Sequence, residues 1–260
     1  MSMTPPSSLS RLAIGLLAAA TAVAAHAGVE FTANLRSETA GTRLPALGEI
    51  VVKGRVDGDK GRLEYLRSAL QPKGSIVVTT DGARTAKLYK PKSHDCGDMP
   101  LPGSAANGMR AQAVGLNRYD DIKVEKTLDE AGAKLHGIAT RHLRYAISYV
   151  QHPPGAARAV RGSIEFEAWL APTLTDPALD LWLGSAVRTG NEQADHEIAT
   201  GMADAKGAAL KRIQRSTLQV EGAKAQQSTS TLEVTQLAKR KLSAKSLAAP
   251  FVCRVGASPG

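Results

Sequence analysis

Between Arg141 and Leu170 the chain alternates apolar and polar residues with a period of two, twice over. Leu143, Tyr145, Ile147 and Tyr149 fall on one side, and His142, Arg144, Ala146 and Ser148 on the other. After Pro153, Pro154 and Gly155 the pattern resumes, with Ile164, Phe166, Ala168 and Leu170 set against Ser163, Glu165, Glu167 and Trp169. Successive strand side chains point to opposite faces, so this predicts a long β-hairpin with one buried face and a turn that cannot continue a ladder.

The same period recurs through most of the chain. Val29, Phe31, Ala33 and Leu35 mark a first strand, Ile50, Val52 and Val56 a second, and Leu63 and Tyr65 a third after the Asp57-Gly58 turn. A further hairpin is expected over Ser75–Thr80 and Thr85–Lys90, turned by Asp81-Gly82, whose residues tolerate positive φ. From Pro91 to Arg118 the pattern dissolves, with a short helix expected near Met109–Leu116. Strand character returns at Ile122–Leu128, and later at Leu210–Val220 and Thr229–Leu237. In between the period changes: Leu179, Trp182, Leu183 and Val187 follow Asp176-Pro177 at helical spacing, and Ala194, Ile198 and Met202 repeat it. The fold class is α+β, mainly β: a curved antiparallel sheet of about ten strands with two or three plugging helices.

The first 27 residues stand apart. Arg11 precedes an unbroken small and apolar run, Leu12–Ala25, that ends in Ala25-His26-Ala27. A short apolar run with a small-x-small end is the pattern of a secretory signal peptide, and it falls below the roughly 20 residues of a membrane span. The expected domain organisation is therefore a signal peptide over residues 1–27 and a single domain over residues 28–260, exported to the periplasm. The chain has 33 basic and 24 acidic residues, net +9, which suits anionic partners such as an anionic membrane surface, or a simple solvated basic face. No basic run is interleaved with aromatics, so no nucleic-acid partner is expected.

Cys96 and Cys253 are the chain's two cysteines. In an oxidising compartment they are expected to pair; the competing reading is a metal site at His94, Asp95, Cys96 and Asp98, whose spacing matches no standard zinc pattern. No metal or other cofactor is expected. The His196-Glu197 pair begins like a zinc-protease helix but has Thr200 where a second ligand is needed. Glu165 and Glu167 share a strand face, where two acids on a solvated surface are ordinary, and no catalytic group assembles around them. Three basic clusters stand out: Arg84, Lys87, Lys90 and Lys92; Arg141, His142 and Arg144; and Lys239, Arg240, Lys241 and Lys245.

Several phrases recur in an order that resembles the periplasmic lipoprotein-carrier (LolA-like) superfamily, and most closely an uncharacterised domain family allied to it. They are Val56-Asp57-Gly58-Asp59-Lys60-Gly61-Arg62-Leu63-Glu64-Tyr65, Ala86-Lys87-Leu88-Tyr89-Lys90-Pro91-Lys92, Leu135-His136-Gly137-Ile138-Ala139-Thr140-Arg141-His142-Leu143, Glu167-Ala168-Trp169-Leu170-Ala171-Pro172 and Ser228-Thr229-Ser230-Thr231-Leu232-Glu233-Val234-Thr235. The resemblance implies a half-barrel sheet closed by helices around an apolar cavity, and a non-enzymatic carrier or sensor of a lipid or an acylated protein. On this reading Leu143, Tyr145, Ile147, Ile164, Phe166 and Leu170 form the cavity wall. Arg84, Lys87, Arg141 and Arg144 dock an anionic headgroup or a partner. The alternative is an envelope interaction or sensor module without a lipid ligand.

Overall fold

Strand β1 (Gly28–Ala40) is the hinge of the topology, because it pairs antiparallel with β2 (Gly48–Asp57) on one side and with β11 (Gln226–Arg240) on the other. The computed structural model describes residues 27–40, 48–82, 84–99 and 117–253. All but the last residue of the signal peptide expected over residues 1–27, and the helix expected near Met109–Leu116, lie outside the described residues. From β1 the chain meanders outward through β2, β3 (Lys60–Arg67), β4 (Ile76–Thr79) and β5 (Lys87–Lys90) to an edge at β6 (Asp95–Asp98). The opposite edge is β7 (Arg118–Ala131), from which β8 (Arg141–His152), β9 (Val160–Ala171), β10 (Ala208–Val220) and β11 lead back to the middle.

The result is one antiparallel sheet of eleven strands with a few short helices, α+β and mainly β as the patterning predicts. The expected curvature is not present: the sheet is open and uncurled, and β6 and β7 remain separate edges. The central hairpin forms as expected, with Leu143 opposite Ala168, Tyr145 opposite Phe166 and Ile147 opposite Ile164.

Helices cover one face of the sheet. A 3-10 turn at Pro177–Leu179 runs into α1 (Asp180–Leu183), and α2 spans Glu192–Gly201. Pro177 occupies the first helical position as its fixed φ favours. Asp176 makes no side-chain cap; its carboxylate instead accepts from the Gly58 N–H at 3.0 Å, tying the helix to the β2–β3 turn. α2 is capped by Asn191, whose side chain accepts from the Ala194 N–H at 3.0 Å. The helices end sooner than their apolar spacing suggests, and Val187 is buried from an extended segment between them.

Two apolar clusters share the helix-covered face. One joins Phe31, Ala33, Val52, Leu63, Leu210 and Leu232 to Leu179 and Leu183. The other joins the central hairpin to Val187, Ile198 and Met202. A third cluster, Ile76, Val78 and Tyr89, lies on the reverse face, since these residues alternate with Val77 and Leu88 of the first cluster. It is covered by the chain beyond β11. That segment forms α3 (Ala244–Leu247) against β2 and β3, receives a 2.7 Å hydrogen bond from Arg62 Nη1 at the Ala248 carbonyl, and sets Phe251 edge-on to Tyr89 at 5.4 Å.

Candidate ligand cavity

Alternation on β1 points Phe31, Ala33 and Leu35 to the helix-covered face, where β2 adds Ile50 and Val52 and β3 adds Leu63 and Tyr65. Residues opposite one another in an antiparallel ladder share a face, so three short strand segments make one apolar floor. Leu181, Trp182 and Leu183 of α1, followed by Gly184 and Ala186, roof it without filling it. Between floor and roof is a cavity of about 550 Å³.

Among the described residues, three charged ones border this apolar space: Arg212 of β10, Asp180 at the start of α1, and Arg188 beyond it. Arg212 lies opposite Leu232 on one side and Ala168 on the other, both buried, so its side chain faces the core side of the sheet. Its Nη1 donates to the Gly184 carbonyl at 2.8 Å. Desolvation lowers the Arg212 pKa from its ordinary value, and desolvation raises that of Asp180. Burial likewise raises the Tyr65 phenol. The Trp182 indole packs where Gly61 has no side chain, its Nε1–H buried with no partner among the described residues.

The six residues expected to form the wall are brought together, but in the neighbouring cluster. Leu143, Tyr145, Ile147, Ile164, Phe166 and Leu170 are each 5% exposed or less, packed against Val187, Ile198 and Met202, and none of them borders the cavity. The floor is made by strands β1 to β3 instead. Their inward positions are legible in the alternation; that they are left uncovered by α2 is not.

The four expected docking residues fall into two separate places. Arg84 and Lys87 are exposed near β5, Lys87 standing 4.0 Å from Asp98, while Arg141 and Arg144 are on β8, with seven strands between in the sheet order. The β8 pair is engaged in ion pairs. Arg141 meets Asp129 at 2.5 Å and Asp204 at 2.9 Å, Lys126 meets the same two carboxylates at 2.7 Å each, and the Tyr145 hydroxyl donates to Asp204. These partners hold the Asp129 carboxyl down at about 2, and they keep Asp204 well below the usual carboxylate range. Arg144 meets Glu167 at 3.0 Å and Glu165 at 3.7 Å, and His142 meets Glu167 at 2.8 Å while stacking on Trp169. Glu165 also faces Arg215 at 3.3 Å, so both glutamates are spent on ion pairs, Glu165 exposed as expected and Glu167 buried beneath His142 and Arg144.

Cys96 and Cys253 form a disulfide with their Cα atoms 5.9 Å apart. It fastens the segment beyond β11 to the edge strand β6. Among the described residues no group of His, Cys, Asp and Glu is placed to hold a metal ion, and His196 is exposed on α2. Also among them, no helix is long and apolar enough to cross a membrane.

Arg212 is the feature that sequence reasoning missed. Arg212 and Gln214 alternate with Lys211 and Ile213, so β10 carries polar residues on both faces and its inward side is not legible from pattern. A guanidinium at an inward strand position was the available signal. No protein-family model matches the chain, and no curated protein matches it in sequence.

Proposed function

We propose that the protein is a periplasmic, non-enzymatic carrier or sensor that binds a lipid or acylated ligand in the cavity under α1. The observation that carries this reading is the cavity of about 550 Å³, floored by Phe31, Leu35, Ile50, Val52 and Leu63 and bordered by few polar groups. Its size lies within the roughly 300–1,000 Å³ of small-ligand sites, and such sites are mostly apolar with a few placed polar groups. Each acyl methylene taken from water into it contributes about 0.8 kcal/mol.

The signal-like leader, the disulfide and the LolA-like order of phrases support the address and the class. The basic surface fits transient contact with anionic membranes.

The reading is tested by native mass spectrometry of the protein purified from the periplasm without detergent, with solvent extraction of whatever travels with it. A stoichiometric lipid or acyl species is the expected result. A bare protein mass that stays bare after incubation with mixed lipid vesicles removes the cavity reading and moves the function to the protein surface.

A further inference from the structure

We infer that the cavity takes a single-chain amphiphile with an ionised carboxylate, a long-chain fatty acid, whose head meets Arg212 and whose chain lies along Phe31, Leu35, Ile50 and Val52. The inference rests on the reading of this cavity as an apolar-ligand site and names the class of ligand.

Arg212 is the reason for the anionic head. A guanidinium stays ionised in a protein, and Arg212, half-buried on the core side of β10, presents that charge to the apolar cavity with its free edge still open to water. No Asp or Glu among the described residues comes within ion-pair distance of Arg212, although most other basic residues on the sheet strands have such a partner. Its single acceptor among the described residues is the neutral Gly184 carbonyl, taken by Nη1. The Nε and Nη2 edge has no partner among the described residues. That edge carries parallel N–H donors at the spacing of carboxylate oxygens, the geometry of a bidentate pair.

Charge and volume narrow the head and the tail. Among the described residues the cavity border carries Arg188, Arg212 and Asp180, two positive groups and one negative, so a single negative charge balances them. A head of higher charge would meet the Asp180 carboxylate without compensation. The volume of about 550 Å³ suits one slender chain rather than the two or three of a membrane lipid. Arg212 stands in the same row of the sheet as Leu232, Leu35 and Ile50, so the cationic group adjoins the apolar floor along which the chain lies.

The test is a tryptophan-fluorescence titration of the purified protein at pH 8, reading Trp182 at the cavity roof, with palmitate and with hexadecanol. Palmitate is expected to bind about ten- to a hundredfold tighter, the worth of a hydrogen bond to a charged group. Arg212→Gln is expected to erase that ratio while leaving hexadecanol affinity unchanged, and Arg212→Lys to lower it without erasing it, since lysine keeps the charge and loses the paired donors. If Arg212→Gln does not fold, the wild-type ratio and Arg212→Lys read the same point. Equal binding of acid and alcohol by the wild type, or an undiminished ratio in folded Arg212→Gln, overturns the carboxylate assignment and leaves the apolar site standing. Binding of neither compound overturns both.

Discussion

Phe31 lies across Gly54, its partner on the neighbouring strand: a Cβ on Gly54 would stand 2.1 Å from Phe31 Cζ. The ring thus occupies the place of the missing side chain, and Tyr149 does the same over Gly162, where a Cβ would stand 2.2 Å from the ring. Glycine weakens a strand by itself, and an aromatic neighbour laid over it restores the packing. Gly54→Ala should therefore push Phe31 toward the cavity and cost about 1–3 kcal/mol, the usual range for overpacking. Urea unfolding followed by circular dichroism reads the loss, and a midpoint equal to wild type contradicts the contact.

The two apolar clusters should respond differently to substitution. Leu35 borders the cavity and is only half-buried, so Leu35→Trp should fill empty space, abolish fatty-acid uptake and leave the melting temperature within a few degrees of wild type. Ile147 is packed under the helices, so Ile147→Val should cost about 0.5–1.5 kcal/mol and leave uptake unchanged. Uptake that survives the first change or falls with the second would place the ligand elsewhere.

The cluster of Lys126, Asp129, Arg141, Asp204 and Tyr145 should govern the acid limit of stability. Asp129 and Asp204 are both held below the ordinary carboxylate pKa, Asp129 at about 2, by the cations and hydroxyl around them. A carboxyl with a lowered folded pKa stabilises the protein above its unfolded pKa of roughly 4, and the contribution fades as pH falls through the folded value. Wild type should lose stability between about pH 4 and pH 2, and Asp204→Asn should be less stable at pH 7 by an amount that shrinks as the pH is lowered through that window. Unfolding midpoints measured at intervals of pH check the slope.

Reduction should release the segment that crosses the reverse face. The disulfide joins residues 157 apart, for which chain entropy gives about 5 kcal/mol, a value measured against an unfolded chain that is itself unlinked. Cys96→Ser with Cys253→Ser should lower the urea midpoint by a matching amount and expose Phe251 and the surface of Ile76 and Tyr89. Equal midpoints for the oxidised protein and the double variant would mean that the link adds nothing.

Much of this was legible from the chain because strand alternation is local. The central hairpin, the Asp81-Gly82 turn and the inward positions of Phe31, Val52 and Leu63 follow from period-two patterning, with Gly58 and Gly82 at φ of 59° and 69° where a turn needs them. The pairing of Cys96 with Cys253 followed from the cysteine count taken together with the expected export to an oxidising compartment. The location of the cavity did not follow, because every strand of a sheet with one covered face shows the same alternation, whichever part a helix happens to press upon.

By itself, then, the sequence determined the mainly β class, the antiparallel hairpins, the helical interlude after Pro172 and the cysteine link, all of which depend on neighbours in the chain or on counting. Tertiary structure decided that α2 seals the central hairpin while α1, packed on β1 to β3 through Leu183 and Trp182, leaves a cavity beside them, that β1 meets β11 along its whole length, and that Arg212 faces inward with no acid among the described residues within ion-pair distance. These depend on which strands lie side by side and how far a short helix reaches, quantities that are summed over residues more than 200 positions apart, as in the pairing of Phe31 with Leu237, and that no local period encodes.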